Sequence, residues 1–216
     1  MPVLEAAFLY GILDLKYAAE DSVAEMAGRM IRGGVGVLQL RAKEVDEARI
    51  VALGRRLAPI CREAGVPFIL NDWPHLVGVA GADGVHVGQE DLPVAEARAL
   101  AGSGAIVGKS THCLEQAVAA AEEGADYIGF GPLFATPTKP DYVPIGLEMV
   151  RDVHARVSLP IFCIGGIKRE NLQMVIDAGA VRTVIVSGIL CSMEPERYTQ
   201  ECVKILKRGH VWKPAF

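Results

Sequence analysis

Short β-rich apolar runs alternate with longer amphipathic stretches eight times along this chain, and that rhythm restricts the fold more than any single motif does. The apolar runs predict strands at 8–13, 36–40, 68–70, 84–87, 105–107, 127–129, 161–164 and 183–186. Helical spacing predicts helices at 22–32, 47–64, 75–80, 94–101, 114–123, 147–156, 169–178 and 195–207. Glycines punctuate the junctions. Gly33-Gly34, Gly81-Ala82-Asp83, Gly124-Ala125-Asp126 and Gly179-Ala180 each precede a strand, where a helix ends on a left-handed residue and the chain turns into the sheet.

Eight βα units within 216 residues, with no linker between them, predict an α/β chain folded as one compact (β/α)8 barrel of the TIM type. The domain is expected to cover 1–216, with 209–216 as a C-terminal tail. An open doubly wound sheet would be favoured by a glycine-rich turn after the first strand, and Leu13-Asp14-Leu15-Lys16 is not one. The tail, with Trp212 and Pro214, reads either as cover for a barrel face or a partner subunit of a homo-oligomer, or as a loosely packed terminus.

Composition removes several classes of function. A net charge of -4, without a basic cluster interleaved with aromatics, argues against nucleic acid as a partner and leaves small anions held in a local pocket. The apolar run at 6–13 is too short to span a bilayer and follows Glu5 rather than a basic leader, so no membrane role is expected. Five cysteines with no C-x-x-C pair read as reduced packing residues of a cytoplasmic protein.

Barrel active sites are built at the C-terminal ends of the strands, so the residues that follow each run carry the functional argument. After the second strand, Gln39, Arg41 and Lys43 share one side of an extended segment suited to gripping a polyphosphate. Asn71-Asp72 closes the third strand, and Gly88-Gln89-Glu90-Asp91 follows the fourth. Asp72 and Asp91 read in two ways: as caps of the helices after them, or together as a Mg2+ site.

The fifth strand leads into Gly108-Lys109-Ser110-Thr111-His112, which resembles a nucleotide loop but lacks its first glycine. Ser110 remains a hydrogen-bond donor to an anion, and His112 is either an acid or base or a structural residue. The segment from Gly129 to Lys139 starts as a strand and becomes a loop carrying Thr136, Thr138 and Lys139, a surface suited to phosphate. Gly165-Gly166 after the seventh strand and Val186-Ser187 after the eighth occupy the usual phosphate position of such barrels. Two anion sites in one mouth suggest a reaction joining two phosphorylated substrates.

These motifs, in this order, resemble the thiamine phosphate synthase family: Gln39-Leu40-Arg41-Ala42-Lys43, Asn71-Asp72, the stretch from Ala82 to Asp91, Gly108 with Ser110 and His112, Gly131 through Lys139, Ile164-Gly165-Gly166-Ile167 and Val186-Ser187. The resemblance implies a transferase of thiamine biosynthesis that joins hydroxymethylpyrimidine pyrophosphate to a thiazole phosphate and releases pyrophosphate. It implies that Gln39, Arg41, Lys43, Asn71, Ser110 and Lys139 hold the pyrimidine pyrophosphate. Asp72 and Asp91 then carry Mg2+, while Thr136, Thr138, Gly166, Val186 and Ser187 hold the thiazole phosphate. Arg41, Lys43, Ser110 and Lys139 are the implied catalytic groups, acting by neutralising and positioning the leaving pyrophosphate.

The loop 140–145, stiffened by Pro140 and Pro144, departs from the polar loop expected in the family. Two other readings remain beside this one. Thiazole tautomerases share the barrel but place a catalytic His where this chain has Pro132, and a non-catalytic phosphate-ligand-binding barrel would have no need of the charged set.

Overall fold

The computed structural model describes residues 2–136 and 143–211. Eight parallel strands close into a barrel in sequence order: β1 (Leu9–Asp14), β2 (Val37–Arg41), β3 (Phe68–Asn71), β4 (Gly84–Val87), β5 (Ile106–Thr111), β6 (Tyr127–Phe130), β7 (Ile161–Cys163) and β8 (Arg182–Ile185), which pairs back onto β1. The (β/α)8 expectation therefore holds. Among the described residues ten α-helices accompany them: α1 (Pro2–Ala6), α2 (Val23–Arg32), α3 (Glu47–Ala64), α4 (Val77–Ala80), α5 (Val94–Ala101), α6 (Leu114–Glu122), α7 (Val150–Arg156), α8 (Leu172–Asp177), α9 (Ser187–Leu190) and α10 (Pro195–Val211). No helix among the described residues is long and apolar enough to cross a membrane.

Strand alternation splits the apolar residues into two cores. Outward residues such as Leu9, Leu38, Phe68, Val85, Val107 and Ile128 pack under the helices. Inward residues Tyr10, Ile12, Val37, Ile69, Ile106, Tyr127, Phe162 and Val184 fill the barrel, joined at its N-terminal end by Leu4 of α1 and by Ala7. Space for the Tyr127 ring comes from β5, because a Cβ on Gly108 would lie 2.1 Å from Tyr127 Cζ.

The glycine junctions behave as their sequence predicts. Gly81 and Gly124 adopt φ of 74° and 83°, where a side chain would be strained, and each is followed by an aspartate that pins a neighbouring strand. Asp83 accepts from Phe68 N at 2.8 Å, and Asp126 accepts from Val107 N at 2.8 Å and from Arg98 Nη2 at 2.9 Å.

Some details depart from the expected pattern. Helix α1 was not predicted, since its five residues run without a capping signal into the apolar run of β1. The last helix continues to Val211, so 209–211 belong to it and not to a tail; Gly209 sits against Ile176, where a larger residue would clash at 2.5 Å. Trp212 and Pro214 lie outside the described residues. Cys61, Cys163 and Cys202 are the packing residues expected, with burial pushing each thiol up to about 12. Cys191, by contrast, is exposed.

Candidate active site

A cavity opens at the C-terminal end of the barrel. Inward parity decides which side chains reach it: Tyr10 and Ile12 from β1, Gln39 and Arg41 from β2, Asn71 from β3, His86 from β4 and Ser110 from β5. Its floor is aromatic. Tyr10 and Tyr127 meet Phe162 edge-on, with centroids 5.2 and 5.6 Å apart. Over this floor runs a chain of polar groups, buried as far as Tyr127 and half-buried at His86: Gln39 Nε2 donates to Tyr10 Oη at 2.8 Å, Tyr10 Oη lies 2.9 Å from Tyr127 Oη, and Tyr127 Oη lies 3.1 Å from His86 Nδ1. His86 Nε2 then reaches Ser110 Oγ at 2.9 Å.

Charge gathers on the rim above β1 to β4. Arg41 donates through Nη1 to Asp14 Oδ2 at 2.7 Å, while Asp14 Oδ1 accepts from Lys16 N at 2.9 Å. Lys43, in the turn beyond β2, pairs with Asp72. Asp72 has a φ of 69°, unusual for a residue with a side chain, and its N-H donates to His86 O at 2.9 Å. Burial raises the Asp72 carboxyl above its ordinary value; Lys43 opposes this, and the adjoining Asp91 carboxylate adds to it by repulsion. The two acids thus share one compartment.

Neither acid caps the helix after it. The residues at those helix starts are Trp73 and Pro93, and no side chain caps either. Asp91 instead closes its own loop by accepting from Gly88 N at 2.6 Å. Among the described residues no three His, Cys, Asp or Glu side chains gather as a metal cluster, so a cation would find two carboxylates here. That donor set suits Mg2+, which commonly takes one or two carboxylates and completes its shell with substrate phosphates and water.

The opposite side of the mouth is built by backbone. Leu133 N donates to Ile164 O at 2.8 Å and Phe134 N to Gly165 O at 3.0 Å, which clamps the loop after β6 to the loop after β7. The fit depends on glycine. At Gly166, with φ of 63°, a Cβ would come within 2.6 Å of Ala135 O. Thr136, Gly166, Val186 and Ser187 all line the cavity, with Ser187 opening α9. Thr138, Lys139 and the loop 140–142 lie outside the described residues.

Gln39 lines the cavity. Its amide is buried and engaged with Tyr10 on the floor, below Arg41. Lys43 does not line the cavity and instead stands over the acidic pair. His112 serves as a strut: its backbone N donates to Gln116 Oε1 at 2.8 Å, and its Nδ1 donates to Gly131 O. Lys109, in the false nucleotide loop, is buried on the outward side near Leu92 O.

Asp14, Tyr10, Tyr127 and His86 are the site residues that sequence reasoning missed. In sequence the first is an acid at the end of an apolar run, and the others read as ordinary strand residues. The available signal was parity, since polar groups fall on the inward position of several adjoining strands.

Fold and mouth together define a (β/α)8-barrel enzyme with an acidic and a cationic group on one rim and a backbone-lined recess on the other. Residues 9–189 match the family model described as Thiamine monophosphate synthase. The chain belongs to this family of transferases. It is 46% identical over 178 residues to the thiamine-phosphate synthase of Thermus thermophilus, covering 82% of this chain and 85% of that protein. It is 40% identical over 202 residues to that of Shouchella clausii, covering 93% and 97%.

The Gloeobacter violaceus thiamine-phosphate synthase is 42% identical over 95% of this chain, which spans 59% of that longer protein. Among solved structures, the thiamine phosphate pyrophosphorylase of Pyrococcus furiosus superposes with a TM-score of 0.88 at 29% identity, covering 96% of this chain and 98% of that one. A 3-hexulose-6-phosphate synthase, at a TM-score of 0.67 and 18% identity, shares the fold alone.

Proposed function

We propose that this chain is a thiamine phosphate synthase, joining 4-amino-2-methyl-5-hydroxymethylpyrimidine pyrophosphate to a thiazole phosphate and releasing pyrophosphate. The observation that carries the reading is the Asp72–Asp91 carboxylate pair with Lys43, placed on the same rim as Arg41. A leaving pyrophosphate needs its charge neutralised and its geometry held more than it needs a protein nucleophile. Arg41 and Lys43 supply fixed positive charge, Asn71 and Ser110 supply polar contacts from the next strands, and Lys139 adds a cation from the loop beyond Thr136.

Bound Mg2+ would neutralise the pyrophosphate and would be held by Asp72 and Asp91. The thiazole phosphate is assigned to the recess of Thr136, Gly166, Val186 and Ser187, and Thr138 is assigned to the same ligand from its place in the sequence. The aromatic floor suits a flat heterocycle. We also assign the protein to the cytoplasm, in keeping with its free cysteines.

The test is to mix the purified chain with both phosphorylated heterocycles, with and without Mg2+, and to measure pyrophosphate and thiamine phosphate. Stoichiometric appearance of both with Mg2+ is expected. Proton exchange on the thiazole, or ligand binding without either product, would replace this reading.

A further inference from the structure

The polar chain on the cavity floor has a direction, which follows from counting protons. Gln39 Nε2 donates to Tyr10 Oη, so that oxygen is an acceptor there and must place its own proton elsewhere. Tyr127 Oη, at 2.9 Å, is the oxygen in reach. Tyr127 has now accepted, and its own proton points to His86 Nδ1 at 3.1 Å. A neutral imidazole accepting at Nδ1 carries its hydrogen on Nε2, which faces Ser110 Oγ at 2.9 Å. Ser110 accepts from His86, and its own O-H is left to donate into the cavity it lines.

With the Gln39 amide presenting Nε2 to Tyr10, running the chain the other way fails at its far end. If Ser110 donated to His86 and His86 to Tyr127, then Tyr10 Oη would receive from both Tyr127 and Gln39. Its own proton would be stranded in the barrel core, where Tyr10 is 2% exposed. Both phenols stay protonated, since burial raises each well above the ordinary tyrosine value. Neither acts as a charge reservoir; each simply passes on one hydrogen bond.

We propose that Gln39, Tyr10, Tyr127 and His86 form a one-way relay that holds His86 as its Nε2-H tautomer and makes Ser110 an obligate donor to substrate. Tyr127 is a positioning residue in this account. The ligand atom opposite Ser110 must then be an acceptor, such as a phosphate oxygen or an unprotonated ring nitrogen, and an amino group there is rejected. This specifies the polarity of one contact in the site assigned above. The tautomer is measured without substrate, so it can fail while the thiamine phosphate assay succeeds, and the reverse also holds.

The experiment is a two-bond proton–nitrogen correlation spectrum of the full chain labelled with nitrogen-15 histidine, with His86 assigned by its loss in His86→Gln. The expected result is an unprotonated Nδ1 and a protonated Nε2 at neutral pH. Tyr127→Phe should collapse this to a mixture, whereas Tyr10→Phe should preserve it because Tyr127 still donates. In turnover, Ser110→Ala and Tyr127→Phe should each lower kcat/KM by about tenfold, the scale of one hydrogen bond, and the double variant should fall no further. A wild-type spectrum with the proton on Nδ1 overturns the proposal, as does a Tyr127→Phe spectrum identical to wild type.

Discussion

Replacing Asp14 by alanine tests how Arg41 is held at the mouth. The pair is nearly dry, with side-chain exposures of 13% for Arg41 and 2% for Asp14. Removing the acid leaves a guanidinium without its counter-charge, a change that typically costs about 3–5 kcal/mol. Lys16 N also loses its acceptor, which adds roughly 1 kcal/mol. Asp14→Asn keeps an oxygen for Lys16 N while discarding the charge, so it should fall between wild type and alanine.

Urea unfolding is the assay, with a lower midpoint and an unchanged slope expected for Asp14→Ala. The informative comparison is the double variant with Arg41→Met. Once the cation is gone no buried charge is left unpaired, so Asp14→Ala/Arg41→Met should regain part of the stability lost by Asp14→Ala alone. An Asp14→Ala protein within about 1 kcal/mol of wild type, or a double variant less stable than that single one, would refute the assignment of Asp14 as the anchor of Arg41.

Asp72→Asn should abolish turnover yet leave the protein at least as stable as wild type at neutral pH, since Asn also tolerates the left-handed φ of 69°. The sign follows from a folded-state pKa raised above the ordinary 3.8. Between those two values the native state holds a proton that the unfolded chain has released. Wild-type stability therefore falls as pH rises through this window and stays reduced above it, so the advantage of Asn should vanish on acidification below about pH 4 in denaturant midpoints taken across pH. Mg2+ at 100 times its Kd should stabilise wild type by about 2.7 kcal/mol in thermal unfolding and Asp72→Asn far less, and a chelator should stop turnover. Gly108→Ala drives a methyl against Tyr127, with 2.1 Å to Cζ, and should cost about 1–3 kcal/mol in urea unfolding.

The barrel was legible because its signals are local and repeated. Alternation locates β4 at Gly84–Val87 and helical spacing locates α3 at Glu47–Ala64, both as the structure has them. One departure falls where function disturbs the pattern. Strand β5 runs to Thr111, beyond the predicted end at 107, because Gly108, Lys109 and Ser110 read as a loop.

Site residues split in the same way. Asp72 and Asp91 were visible as acids after strands, but choosing between cap and shared compartment required knowing which groups face each other. Tyr10 and Tyr127 are 117 residues apart and meet only through closure of the barrel, so no local pattern announces their contact. Gln39 lines the mouth that its spacing predicts, but its bond to Tyr10 is invisible there, since spacing says which way a strand residue faces and not what it meets.

Leu4 of α1 closes the barrel at the end away from the mouth, and Tyr10, Tyr127 and Phe162 fill the space above it. The recess is a cul-de-sac. Whatever lies against those rings has the mouth as its way in and out. A five-residue helix on the far side of the barrel thus sets the depth to which anything entering can travel.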